Sequence, residues 1–193
     1  MSDPKDRNYG PLNFDRNHVF NFRYTMRVAK LGKKLDNRWV GLVTDGWELA
    51  GISRGQSGAP FTPGYTLTTG VDITGTPTEG ARFNLLDAKA AATDRFSAPV
   101  RGDGGNLGVN VLRGPGWFNW DLSVFRNVRF KEGRNVELRL ETYNTLNHPQ
   151  FSALSTSARF DTAGTTAQTD TLFLQPTSAR SPRRIQLAVR FNF

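Results

Sequence analysis

The 193-residue chain carries 25 Lys and Arg against 17 Asp and Glu, a formal net charge of +8, with 37% hydrophobic residues and no cysteine. No stretch approaches the roughly 18–20 consecutive apolar residues of a membrane-spanning helix, which excludes helical membrane proteins but not strands that alternate polar and apolar side chains. The absence of thiols excludes a disulfide framework, a thiolate metal site and a cysteine nucleophile.

Five segments carry the period of two that marks a strand. In the first, residues 16–28, His18, Phe20, Phe22, Tyr24, Met26 and Val28 alternate with Asn21, Arg23, Thr25 and Arg27. Residues 29–45 follow as a basic turn holding Lys30, Lys33, Lys34 and Arg38. The second, residues 46–57, sets Trp47, Leu49 and Gly51 against Glu48, Ala50 and Ile52, and Ile52 leaves its inner face undecided. Residues 58–116 read as a long connection rich in small and polar residues. Within it, 85–92 is a good helix-forming run, and 65–73 could extend a strand. The third strand, 117–130, puts Trp120, Leu122, Val124, Val128 and Phe130 on one face with Arg126 as the exception, opposed by Asp121, Ser123 and Asn127. Residues 131–134 are a tight hairpin with Gly133 available for positive φ. The fourth strand, 134–144, sets Val136, Leu138 and Leu140 against Glu137, Arg139 and Glu141. After a second long connection, 145–181, the fifth strand alternates without a slip. Ile185, Leu187, Val189, Phe191 and Phe193 share one face, and Arg184, Gln186, Ala188, Arg190 and Asn192 the other.

These lengths suit tilted strands crossing a bilayer. Connections alternate short and long, as in outer-membrane barrels with short periplasmic turns and long external loops. If 184–193 ends on the periplasmic side, 58–116 and 145–181 fall outside, and 29–45 and 131–134 inside. Trp47, Phe61, Trp117, Phe118, Trp120, Phe130, Phe191 and Phe193 gather near strand ends, as interfacial girdles do. The fold class expected is therefore all-β: an antiparallel transmembrane β-barrel segment of about five or six meandering strands, an incomplete barrel with long external loops. Ile185, Leu187, Val189, Leu138, Leu140, Leu122 and Val124 are expected to face lipid. Arg190, Arg184, Glu137, Arg139, Glu141 and Asp121 are expected to face the lumen, with Asp121 and Arg184 or Arg190 as cross-strand partners of the glutamates. The competing class is a soluble or cell-surface β-rich binding module such as a sandwich.

Other chemistry finds little support. Nucleic-acid binding needs clustered basic residues, and here arginines are spread singly. His18 and His148 are the only histidines, far apart, so no metal site is expected. His148 reads as a turn residue before Pro149. Gly102-Asp-Gly-Gly-Asn-Leu-Gly108 lacks the spacing and the following Lys-Ser/Thr of a phosphate loop and reads as a flexible external loop. No enzyme signature and no cofactor are expected.

Four blocks, in order, carry a family resemblance: Asn13-Phe-Asp-Arg-Asn-His-Val-Phe20; Gly46-Trp-Glu-Leu-Ala-Gly-Ile52 with Gln56-Ser-Gly-Ala-Pro-Phe-Thr62; Asn106-Leu-Gly through Leu112-Arg-Gly-Pro-Gly-Trp117 and Asn119-Trp-Asp-Leu-Ser123; and Glu141-Thr-Tyr-Asn-Thr-Leu-Asn-His-Pro-Gln-Phe151 with Ser178-Ala-Arg-Ser-Pro-Arg-Arg-Ile-Gln186. Together they cover most of residues 13–193. The chain resembles the C-terminal part of TonB-dependent outer-membrane receptors, closest to the Oar-like group that carries a carboxypeptidase-regulatory-like domain. The resemblance implies that residues 1–193 are barrel, without the plug domain, and that the whole receptor takes up a scarce ligand across the outer membrane. It implies as partners outer-membrane lipid, the barrel-assembly machinery, the remaining strands and plug, and a small ligand, and it makes Phe193 and Phe191 the assembly signal. The opening residues Met1-Ser-Asp-Pro-Lys-Asp-Arg7 lack the apolar core of a secretory signal, so the chain is expected to be the tail of a longer exported protein.

Overall fold

The computed structural model describes residues 8–28, 30–68, 82–87, 89, 94–130 and 133–193. In chain order the elements are β1 (Val19–Arg27), α1 (Leu31–Lys34), α2 (Arg38–Thr44), β2 (Trp47–Gln56), β3 (Pro60–Phe61), β4 (Gly64–Leu67), β5 (Asn84–Leu85), β6 (Phe96–Ser97), β7 (Leu112–Arg113), β8 (Trp117–Arg129), β9 (Asn135–Tyr143), β10 (Phe151–Leu154), β11 (Ser157–Phe160), β12 (Pro176–Ala179) and β13 (Arg184–Asn192). They divide into two compact units. One holds His18–Gln56, Trp117–Gln150 and Ser181–Phe193; the other holds the chain up to Asn17, Ser57–Gly116 and Phe151–Arg180.

The first unit is one antiparallel sheet, ordered β1-β2-β8-β9-β13. All five predicted strands form, and each long strand lies beside the next in sequence, which makes a meander. The barrel is not closed: β1 and β13 are the two outer strands of this sheet. Thirteen residues in β8, at about 3.4 Å each, make a strand about 44 Å long. The β8–β9 hairpin closes where Phe130 N donates to Arg134 O at 2.8 Å. Gly133 there takes φ +80°, as the turn requires; Lys131 and Glu132 lie outside the described residues.

The basic turn 29–45 proves partly helical. Asn37 caps α2 by accepting hydrogen bonds from Trp39 N and Val40 N, at 3.0 and 3.2 Å. Asp45 Oδ1 accepts from Gly32 N at 3.1 Å and so ties α1 to the end of α2. The Trp47 indole then donates to Val43 O at 2.8 Å, which fixes the first side chain of β2 against the turn.

The second unit gives the long connections a buried core of their own. Phe83, Phe96, Leu107, Phe160 and Phe173 are buried together with Ala98 and Ala158. The Phe83 ring lies 5.0 Å from Phe96, 5.7 Å from Phe160 and 5.8 Å from Phe173, within the range of favourable aromatic packing. Short pairings frame this cluster: β3 with β7, β5 with β6, β10 with β12, and a parallel pair of β4 with β11. The helix expected over 85–92 does not begin as one, because Leu85 pairs with Phe96 as a strand; Ala88 and 90–93 lie outside the described residues. Tyr65 belongs to a strand as expected, but the strand ends at Leu67, and 69–73 lie outside the described residues. The glycine run 102–108 is a packed turn rather than a flexible loop. Gly105, at φ +74°, lies so close to the Arg82 carbonyl that no Cβ fits, and Asp103 accepts hydrogen bonds from Gly105 N and Asn84 Nδ2.

Candidate functional site on the two faces of the five-stranded sheet

Register places every side chain of the sheet on one of two faces. Across β13 and β9, Leu187 stands opposite Leu140, Val189 opposite Leu138 and Phe191 opposite Val136. Across β9 and β8, Leu140 meets Val124 and Val136 meets Val128; across β8 and β2, Val124 meets Leu49 and Leu122 meets Gly51. Met26, Tyr24, Phe22 and Phe20 extend the same face over β1. Period two on each strand and matched register between strands therefore give one continuous apolar face. It remains uncovered: Leu187 is 77% exposed, Phe191 67% and Phe22 52%, and every buried apolar side chain among the described residues lies in the other unit. A soluble sandwich needs a second sheet over such a face.

The neighbouring strands also settle β2, whose sequence left its faces undecided. Leu49 and Trp47 join the apolar face, and Ile52 stands on the polar one, opposite Asp121. Gly51 has its own reason: the Tyr24 ring lies across it and fills the space a Cβ would take. Trp120 Nε1 donates to Tyr24 Oη at 3.0 Å and holds the ring there.

The polar face carries the charges. Arg139 bonds Glu137 at 2.8 Å and Glu141 at 3.5 Å along its own strand, and its guanidinium lies 4.8 Å from the centre of the Phe125 ring. Among the expected cross-strand partners of these glutamates, Arg190 takes the place opposite Glu137, while Asp121 and Arg184 bond elsewhere. Asp121 bonds Arg54 of β2 at 3.0 Å, and Arg184 donates to Ser181 Oγ at 3.1 Å. Alternation along one strand puts Arg139 between two carboxylates already, so no longer reach is needed. Asp121 also accepts from Asn119 Nδ2 at 2.6 Å and from Asn144 N at 3.0 Å. Asn144 (φ +53°) and Asn147 (φ +52°) turn the chain beyond β9, and His148 lies in that turn as expected. Among the described residues no cluster of three or more His, Cys, Asp or Glu is placed to hold a metal ion.

Aromatics mark both ends of the apolar face, with two corrections. Trp47, Phe130 and Phe191 lie toward one end; Phe20, Phe22, Phe118 and Trp120 lie toward the other. Phe61 belongs to the second unit, and Trp117 falls on the polar face because it stands opposite Gln56. Phe193 is fully exposed beyond the end of β13.

A family model described as an outer membrane beta barrel domain matches residues 1–186. The chain belongs to this family. No curated protein and no solved structure matches it. Membership agrees with the antiparallel meander and makes this an outer-membrane β-barrel protein. The seven residues expected to face lipid all lie on the apolar face of the barrel sheet, and the six expected to face the lumen share the opposite face. Sequence reasoning missed Arg54, Asn119 and Asn144 around Asp121. Arg54 lies 67 residues from Asp121 and is brought there by strand register, which no local pattern carries, whereas Asn119 is two residues away on the same strand and its alternation with Asp121 was a usable signal.

Proposed function

We propose that the five strands form part of the wall of a TonB-dependent outer-membrane transporter that takes up a small ligand. The apolar face meets lipid, and the polar face, with Arg139 between Glu137 and Glu141 and with Asp121 beside Arg54, lines the lumen. One observation carries the membrane reading: a sheet sorted residue by residue into two faces, with the apolar face bare. The two open edges invite further strands, since five are fewer than the smallest closed bacterial barrels use. Residues 57–116 and 151–180 contribute external structure able to contact ligand, supported by their own aromatic core. The TonB-dependent part rests on the four sequence blocks. The chain's function is structural and binding rather than catalytic.

The cysteine-free chain permits a clean test. Single cysteines at 186, 188 and 190 should react in outer-membrane preparations with a water-soluble maleimide, while those at 185, 187 and 189 should not. Equal labelling of both sets would refute the lipid–lumen assignment. For transport, cells lacking the gene and cells lacking TonB should lose uptake of the same compound from a panel of iron chelates and oligosaccharides. Uptake that persists without TonB would overturn that part.

A further inference from the structure

Arg126 is the only charged residue on the apolar face of the five described strands. It stands opposite Trp47 on β2, and its guanidinium lies 5.1 Å from the centre of the indole ring. Its Nε is buried and meets no hydrogen-bond acceptor. It lies three residues before the end of β8, about 10 Å along the strand. An arginine on a lipid-facing side is costly at the midplane and is tolerated where its long side chain reaches the headgroup level. Beside it a cleft of about 670 Å³ opens across the end of the sheet, lined by Trp47 and Arg126 of the apolar face, by Glu48 and Arg129 of the polar face, and by Lys30 and Asp45 of the turn. The two carboxylates are already engaged: Glu48 pairs with Arg27 at 3.3 Å, and Asp45 accepts from Gly32 N and Thr44 Oγ1. The cleft therefore presents cations to an incoming group. On α2 of the same turn, Trp39 and Val43 are exposed apolar side chains of the kind that sits at a bilayer interface.

We propose that this cleft binds the phosphate headgroup of an anionic glycerophospholipid. Arg126 hydrogen-bonds the phosphate while stacked on Trp47, Lys30 supplies a second charge, and the acyl chains lie along the apolar face. The inference rests on the membrane reading above. A lipid is preferred to a free anion because Arg126 projects from the face that meets hydrocarbon. The inner leaflet is preferred because this end carries the short connections.

The test reconstitutes the chain, with Trp39, Trp117 and Trp120 changed to Phe, in vesicles of equal parts phosphatidylcholine and phosphatidylglycerol. Bromine is carried on the acyl chains of one lipid or the other, and Trp47 fluorescence is the reporter. Brominated phosphatidylglycerol should quench more strongly. Arg126→Gln should lower the preference about fivefold, Lys30→Gln should lower it less, and Arg190→Gln on the other face should leave it unchanged. On the unaltered chain, phosphatidylglycerol retained after detergent extraction, counted by native mass spectrometry, should fall with Arg126→Gln and with added salt. Quenching without preference, or a preference indifferent to Arg126, overturns the lipid site and leaves the membrane reading standing. No quenching by either lipid removes both. Loss of the preference on adding inorganic phosphate would assign the cleft to a free anion and overturn the lipid source.

Discussion

Asp121 gathers more of the polar face than any formal pairing suggests. One carboxylate oxygen bonds Arg54 and the other receives Asn119 and the Asn144 amide, so it joins β2, β8 and the turn after β9. Asp121→Ala leaves those donors without their acceptor in a half-buried setting and should cost about 1–3 kcal/mol. Urea unfolding from vesicles measures it, and proteolysis within 144–150 should rise with it. Adjacent positions on β13 should behave in opposite ways. Val189→Arg places a charge on the apolar face, in the register row of Arg126, and should cost about 1 kcal/mol or more, short of the midplane penalty of about 2–4 kcal/mol, whereas Arg190→Leu on the polar face should cost much less. Equal penalties in the same unfolding assay would contradict the division of faces.

Among the elements, the β8–β9 hairpin depends on one backbone conformation. Gly133 sits at φ +80°, where an L side chain is strained, so Gly133→Ala should lose about 1–2 kcal/mol. Gly64 has no positive φ and open space around it, so Gly64→Ala should leave stability unchanged. The comparison of unfolding midpoints separates conformational strain from the general effect of adding a methyl group. The pair β1–β2 has a different dependence: Tyr24 covers Gly51, an aromatic ring filling a gap in the sheet face. The turn between them is stiffened by α1 and α2, whose polar contacts, rather than length, set the position of Trp47.

At the scale of the molecule the two units are held together internally by different physics. The second unit has a buried aromatic cluster of the kind that forms in water. The sheet has none, and its apolar face requires an apolar solvent. Phe83→Ala should therefore destabilise the second unit by about 3–5 kcal/mol. Amide exchange should speed up in 82–116 and 151–180 and stay unchanged in the five long strands. Exchange rising equally in both would mean that they share one cooperative core.

By itself the sequence determined the five strands, their two-sided character and the membrane class, because alternation with period two is a property of neighbours along one chain. The seven apolar and six polar residues named from it each fell on a single face for that reason. Tertiary structure alone decided that Asp121 takes Arg54, that Ile52 lies on the polar side, that Arg126 stacks on Trp47, and that the long connections bury four phenylalanines. Those outcomes depend on register and packing between residues far apart in the chain. Short irregular segments carry no repeat from which such distant neighbours could be read.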